Sequence, residues 1–333
     1  MGGELIGRGG ARASLPAIRE WRPETAALHA GKAACLHAVV LLFLVPHPAP
    51  AQVVRVEARF VPEEGRIADA AVMANGHLAL LYPDEGRIAD YTPDGRLFQH
   101  IVSESGAQHR FRPTACIAGP GEMLYVFDEA AHAVFNITPD GNMTRGVGLA
   151  YPDSGGGGTL ALSRVGGLAY GRDTLWAMLP ERGVLAGFDD EGALDELLDL
   201  GALLPFANAV YTRAQFLPDG WLYFLDYHQG AVIYRRGQDG NFKRLRPAGT
   251  PDSFLNAATV QDFAVDSQRN ILLATHDEAN PLMLLVPGEQ GYESHPLELE
   301  LPDGAHRLAC RHSRGKYIVW LRDEPLVLVL QLQ

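Results

Sequence analysis

Arginine residues recur where the chain enters a series of short apolar segments. Five occupy comparable positions: Arg66, Arg112, Arg164, Arg213 and Arg307. Acidic residues follow later apolar segments at regular intervals: Asp84, Asp128, Glu181, Asp226, Asp277 and Asp323. A guanidinium group can form two parallel bonds to a carboxylate. The two sets therefore predict either ion-pair clasps that support the fold or a cationic funnel that binds an anionic ligand.

Aromatic and histidine side chains accompany these arginines. Tyr227 and His228 directly follow one apolar segment, and His109, Tyr211 and His306 are expected on the same face. Such side chains suit recognition of a carbohydrate or a peptide. We therefore expect a ligand-binding surface with the following residues: Arg66, Arg112, Arg164, Arg213, Tyr227, His228 and Arg307.

Motifs for metal or nucleotide chemistry are absent from the sequence. It contains no HExxH, no phosphate-binding Walker loop and no GxSxG. The segment 275–278 is dense in possible ligands, but neighbours in one turn rarely converge on one metal ion. Polar residues expected to line a central channel do not repeat as a ligand triad: Asp69, Thr114, Gln215, Asp262 and His312. The sequence therefore predicts no catalytic residue, no metal and no cofactor.

The elements that must position these residues form repeats. The clearest copy, 68–102, contains four short apolar segments separated by turns such as Asn75-Gly76 and Pro93-Asp94-Gly95. Asparagine and glycine accept the positive φ of hairpin turns, so the segments predict antiparallel strands. Related copies begin near residues 114, 165, 213, 261 and 307, and the acidic residues recur every 44 to 53 residues. Four strands in such a period predict a propeller blade.

The two ends of the chain predict how the repeats close into a ring. The sixth copy contains only three strands, and a surplus strand at 53–60 precedes the first copy. Pairing the surplus strand with the last copy leaves no open sheet edge. The expected fold is therefore all-β: a six-bladed β-propeller of four-stranded blades, with the N-terminal strand closing the last blade.

Two segments resemble the NHL repeat of six-bladed propeller proteins. These are GHLALLYPDEGRIADYTPDG at 76–95 and GWLYFLDYHQGAVIYRRGQDG at 220–240. In both, an apolar strand ends in an acidic turn, and a second strand leads to a glycine turn. The resemblance implies a propeller fold, and because its members include scaffolds, lyases and lactonases, it implies no single activity. Its enzymes hold a metal at the channel mouth.

The N-terminal region is interpreted as an export signal. Its apolar segment, 33–45, has 13 residues and is too short to cross a bilayer of about 30 Å. Small residues before Gln52 predict cleavage after Ala51. We therefore expect a signal peptide with an extended N-terminus at 1–51 and a propeller domain at 52–333, secreted or periplasmic and without stable membrane insertion.

The net charge restricts the class of ligand, and the positions of the cysteines predict whether they form a disulfide. The net charge of −12 argues against nucleic acid, which requires a basic face. Cys116 and Cys310 fall at equivalent positions of two non-neighbouring repeats, so we expect two free thiols. We favour a monomeric, non-enzymatic binding protein that recognises a protein, peptide or glycan. The alternatives are a metal-dependent lactonase- or lyase-like enzyme acting at the channel mouth and a structural subunit of an envelope assembly.

Overall fold

A computed structural model describes the chain from Val54 to Gln333, apart from these residues: 103–110, 145, 153–158, 163, 172, 181–182, 201–210, 218, 227–231, 237–241, 246–259, 290, 303–306 and 323. The signal peptide expected at 1–51 and the cleavage expected after Ala51 lie outside the described residues, as do Tyr227 and His228. No described helix is long and apolar enough to cross a membrane.

Every repeat folds as an antiparallel sheet whose strands pair in chain order. The first sheet contains β2 (Ala70–Val72), β3 (Leu78–Tyr82), β4 (Arg87–Tyr91) and β5 (Leu97–Ile101). The second contains β6 (Pro113–Ala118), β7 (Leu124–Asp128), β8 (Ala133–Ile137) and β9 (Val147–Gly148). A separate hairpin of β10 (Ala150–Pro152) and β11 (Thr159–Ala161) follows it.

Three further sheets repeat this order. The third contains β12 (Gly167–Gly171), β13 (Thr174–Leu179), β14 (Val184–Phe188) and β15 (Leu194–Asp199). The fourth contains β16 (Tyr211–Phe216), β17 (Leu222–Asp226), β18 (Val232–Arg236) and β19 (Phe242–Arg244). The fifth contains β20 (Val260–Val265), β21 (Ile271–Thr275), β22 (Leu282–Gly288) and β23 (Gly291–Pro296).

The last sheet joins the two ends of the described chain. It contains β24 (Leu308–Ser313), β25 (Lys316–Leu321), β26 (Val327–Leu332) and the N-terminal strand β1 (Val54–Phe60). β1 pairs with β26 from Val54↔Leu332 to Phe60↔Val327, with a bulge between Val56 and Ala58. The predicted closure of the last sheet by the N-terminal strand is therefore confirmed. The pairing covers an apolar edge that would otherwise be open.

An apolar cluster lies between each pair of successive sheets, which explains why the strands are apolar on both faces. In β3, for example, Leu80 packs against the last sheet and the adjacent Leu81 packs against the second. Side chains alternate across a strand, so a sheet between two neighbours must bury both faces. Trp176 and Trp320 are buried in two such clusters, between the third and fourth and between the last and first sheets. The chain is an all-β propeller with four-stranded antiparallel blades.

Candidate functional site

The arginines singled out from the sequence lie in two different environments. Arg66, Arg112, Arg164 and Arg307 are exposed. Arg213, the third residue of β16, has a side chain only 10% exposed. The five residues therefore do not share one environment, since four lie at the surface and Arg213 is buried. Tyr227 and His228 of the same expected surface lie outside the described residues.

Arg112 forms an ion pair, but its partner is not a member of the acidic set. Its guanidinium Nε lies 3.2 Å from a carboxylate oxygen of Glu129, the residue after Asp128 of the acidic set. Asp128 instead accepts a hydrogen bond of 2.8 Å from the backbone N–H of Arg112. Because the Arg112 side chain is about half exposed, this ion pair contributes little to stability, roughly 0–1 kcal/mol.

Arg213 bridges two buried carboxylates from different sheets. Its Nε lies 3.0 Å from Oδ1 of Asp262 in β20, and its Nη1 lies 3.6 Å from Oδ1 of Asp69, which directly precedes β2. Asp69 and Asp262 are 1% and 0% exposed. Arg213 belongs to the fourth sheet and Asp69 lies at the start of the first, with the second and third sheets between them in chain order. The arginine therefore reaches across the middle of the propeller.

Two further arginines come from the last sheet. Arg311 of β24 donates two hydrogen bonds to Asp69, from Nε at 2.8 Å and from Nη2 at 3.3 Å. Arg322, directly after β25, places Nη2 3.7 Å from Oδ2 of Asp262. We call these five residues the channel cluster: Asp69, Arg213, Asp262, Arg311 and Arg322. Three guanidinium groups and two carboxylates leave a formal charge of about +1 when all are ionised.

Backbone groups hold both carboxylates of the channel cluster in place. Asp69 accepts a hydrogen bond of 3.0 Å from the N–H of Cys116 in the second sheet. Asp262 accepts one of 3.2 Å from the N–H of Cys310 in the last sheet. In both cases a carboxylate at the start of one blade binds the cysteine backbone of the next. Both thiols are free and buried, as predicted, and burial raises the pKa of each.

Burial also changes the ionisation of the carboxyl groups. It raises the pKa of Asp69 to about 6, although Arg213 and the backbone N–H groups favour the charged form. It raises the pKa of Asp262 as well, against the opposing charges of Arg213 and Arg322. The channel cluster thus combines cationic groups that can bind an anion with a carboxyl group that ionises close to neutral pH.

The acidic residues expected in the channel already have other partners in the described part of the chain. The described residues include no group of three or more histidine, cysteine or acidic side chains placed to share an ion. The carboxylates of Asp69 and Asp262 already accept hydrogen bonds from guanidinium or backbone groups. Gln215, another residue expected in the channel, instead accepts a 2.9 Å bond from the N–H of Val265 and links two blades. Asp277 accepts bonds within its own turn.

Sequence reasoning considered Asp69 and Asp262 only as metal ligands and missed Arg311 and Arg322. A usable signal was present in two inner strands. Arg213 interrupts the segment YTRAQF and Arg311 the segment LACRHS, although strands between two blades should be apolar. A charged side chain in such a strand requires a partner, because burying an unpaired charge is very costly.

Comparisons with known proteins agree with the propeller fold. No family model matches the chain, so the resemblance to NHL repeats gains no support from that source, and no curated protein matches it either. Solved structures do match. Virginiamycin B lyase from Staphylococcus aureus is 14% identical, with a TM-score of 0.52 over 79% of this chain and 80% of that one.

Two other similar structures are enzymes with different chemistry. A gluconolactonase from Xanthomonas campestris is 15% identical, with a TM-score of 0.56 over 85% of this chain and 90% of that one. A PQQ-bound aldose sugar dehydrogenase from Streptomyces coelicolor is 13% identical, with a TM-score of 0.52 over 86% and 100%. At these identities the similarity establishes that the chain belongs to the structural class of β-propellers, and nothing finer.

Proposed function

We propose that the four-stranded sheets are the six blades of one closed ring. Among the described residues the strands pair into six four-stranded sheets. The first strand of each contacts the first strand of the next, and β24 of the last sheet contacts β2 of the first. The apolar cluster between the last and first sheets is continuous with this order and includes residues of β1 and β26. A closed ring has no open sheet edge, which favours this arrangement.

We propose further that the protein is an exported enzyme of the lactonase or lyase kind acting at the channel mouth. One observation carries this proposal: charged side chains from four sheets converge there in the channel cluster. The substrate class is a small molecule with a carboxylate or an activated carbonyl group. The similar lyase and lactonase structures support an enzyme at least as well as the binding protein favoured from the sequence.

The chemistry follows from where negative charge develops. Opening a lactone and removing a proton next to a carbonyl group both place charge on the carbonyl oxygen. Prearranged guanidinium groups stabilise such an oxygen. Arg322 is the most accessible member of the channel cluster, with a side chain 33% exposed, and would meet the substrate. Asp69 and Asp262 are buried and act as positioning residues that hold Arg311 and Arg213.

A lactone-opening assay tests this proposal. Purified protein is tested against glucono-δ-lactone and simple aliphatic lactones by acid release, with and without added divalent ions. Turnover should fall about 10²–10³-fold in Arg322→Gln, as expected when a donor to a developing oxyanion is lost. Arg96→Gln, at an exposed ion pair of the first sheet, is the matched control. No turnover of any lactone, or an equal loss in both variants, would rule out this reaction at the channel cluster.

A second candidate is the scaffold that binds a protein, peptide or glycan. It is favoured by the exposure of Arg66, Arg112, Arg164 and Arg307, which places four cationic residues at the surface. A variant with all four changed to glutamine should lose affinity for an acidic peptide such as oligo-glutamate and keep lactone turnover. Unchanged peptide affinity in that variant would eliminate the arginine surface as a binding site.

A further inference from the structure

A cavity of about 450 Å³ lies between the second and third sheets. It is lined by residues near the turns after the first strands and the loop after β14, such as Pro120, Asp173 and Asp189. The channel cluster uses the opposite ends of the strands, since Asp69 precedes β2 and Arg322 follows β25. The cavity is therefore a separate site, and it is independent of the proposed activity.

One wall of the cavity is aromatic and another is apolar. Tyr125 and Tyr170 stack with ring centroids 5.9 Å apart and an angle of 19° between their planes. Val134, Leu149 and Leu175 continue the wall and belong to the apolar cluster between the two sheets. Such a surface can cover the apolar part of a small ligand.

The rim of the cavity is acidic. Asp173, Asp189 and Asp190 contribute to its lining, and Asp190 and Asp173 are exposed. Burial raises the pKa of Tyr125 and Tyr170, and the negative charge of Asp190 raises both further. The negative charge of Asp173 also raises the pKa of Tyr170. The carboxylates therefore impose a negative potential on the tyrosine hydroxyl groups.

Two close-packed glycines shape the wall and the rim of the cavity. A side chain at Gly119 would overlap the ring of Tyr125, so the glycine makes room for that ring. A Cβ at Gly192 would lie 2.5 Å from Val147 of the second sheet, which indicates that the acidic loop packs closely against the neighbouring blade. Asp189 accepts two backbone hydrogen bonds of 3.0 and 2.8 Å within that loop. A loop that is fixed by such packing loses little conformational entropy when a ligand binds.

We propose that this cavity binds a small organic cation, an amine with an aromatic or aliphatic body. The body would pack against the apolar and tyrosine walls, and the ammonium group would meet Asp173 and Asp190 at the rim. Aromatic faces also attract cations directly, which adds to the charge attraction. An anion would face the same carboxylates at a cost, so selectivity by charge is the property that defines the site.

Three probes of similar shape test this proposal: benzylamine in its ammonium form, benzyl alcohol and benzoate. Arg172 is next to Asp173 in the sequence and lies outside the described residues. The benzoate probe tests whether a cation of this kind, and not the carboxylates, determines which charge the cavity prefers. Benzylammonium should bind most tightly, and its affinity should fall about 2- to 5-fold in Asp190→Asn, the usual effect of losing an exposed charge partner. Asp195→Asn, an exposed change of the same kind on β15 of the same sheet, should leave the affinity unchanged.

Ligand-detected NMR and calorimetry measure these affinities, and the salt dependence provides a second readout. Val147→Trp, which places a large ring in the cavity, should abolish binding while the melting temperature reports whether the variant is folded. Equal binding of all three probes, tighter binding of benzoate, an equal loss in Asp195→Asn or no binding of any probe would each overturn the proposal. None of these outcomes depends on lactone turnover.

Discussion

Replacing Asp69 by asparagine should remove a pH dependence of stability that runs opposite to ordinary acid denaturation. Asp69 is 1% exposed, and burial raises its pKa from 3.8 to about 6. Between these values the folded protein retains a proton that the unfolded chain has released. Folding therefore takes up a proton there, and stability increases as the pH falls.

The magnitude follows from the two pKa values. The full effect amounts to about 3 kcal/mol between neutral pH and a pH below 3.8, and about 1 kcal/mol of it falls between pH 7 and pH 5. Asparagine has no proton to take up, so the free energy of unfolding of wild type relative to Asp69→Asn should rise by about 1 kcal/mol across that interval. Asp262, whose pKa is also raised, contributes a further slope to both proteins.

Urea unfolding of both proteins at pH 7, 6 and 5, followed by tryptophan fluorescence, measures this difference. Asp277→Asn is the control, because Asp277 lies in an exposed turn, where Asn280 lowers its pKa. Its contribution is present above the unfolded value of 3.8 and lost as the pH falls through the lower folded pKa, so it should be constant between pH 7 and pH 5.

Two results would refute the reasoning. Parallel curves for wild type and Asp69→Asn would mean that the Asp69 carboxyl group does not change its protonation in this interval. A wild type that loses stability relative to the variant on acidification would mean that Arg213 and Arg311 dominate over burial and hold the pKa of Asp69 below its ordinary value.

Two further predictions concern closure and the thiols. A chain that begins after Phe60 lacks β1 and exposes the apolar edge of β26, so it should aggregate or unfold. Light scattering and circular dichroism measure this. A soluble, well-folded product would contradict the closure of the last sheet by β1. In protein lacking residues 1–51, Cys116 and Cys310 should not react with a thiol reagent while the protein is folded, because both are buried. After denaturant is added, titration should give two thiols per chain. Fast reaction in the folded protein would contradict this and mean that these strands open readily.

Much of the fold could be predicted because its signals are local. Glycine turns such as Gly76 and Gly95 do adopt positive φ, at +83° each, and the apolar segments between turns become strands. The three-strand last copy and the surplus N-terminal strand predicted the pairing of β1 with β26. The cysteines were predicted to be free because equivalent positions in a repeat cannot meet unless their blades are neighbours.

The candidate site was predictable only in part. Asp69, Arg213 and Asp262 were all singled out from the sequence, but in two separate groups with different roles. Their association was not predicted, because the repeat pattern specifies which strand a residue occupies and not how far a long side chain reaches. Arg213 lies 3.0 Å from Asp262 and 3.6 Å from Asp69, and these distances depend on how closely the inner strands of non-neighbouring sheets approach.

The sequence by itself determined the blades, their strand order and the closing pair, since turn chemistry and alternating apolar residues act within a few positions. Only the tertiary structure decided the ion pairs. Arg311 and Asp69 are 242 residues apart in the chain, yet they form a hydrogen bond of 2.8 Å. The Arg112 side chain pairs with Glu129, whereas Asp128 accepts a hydrogen bond from the Arg112 backbone. The partner of each charged side chain depends on which polar groups lose contact with water on folding. Those groups are determined only when the blades pack together.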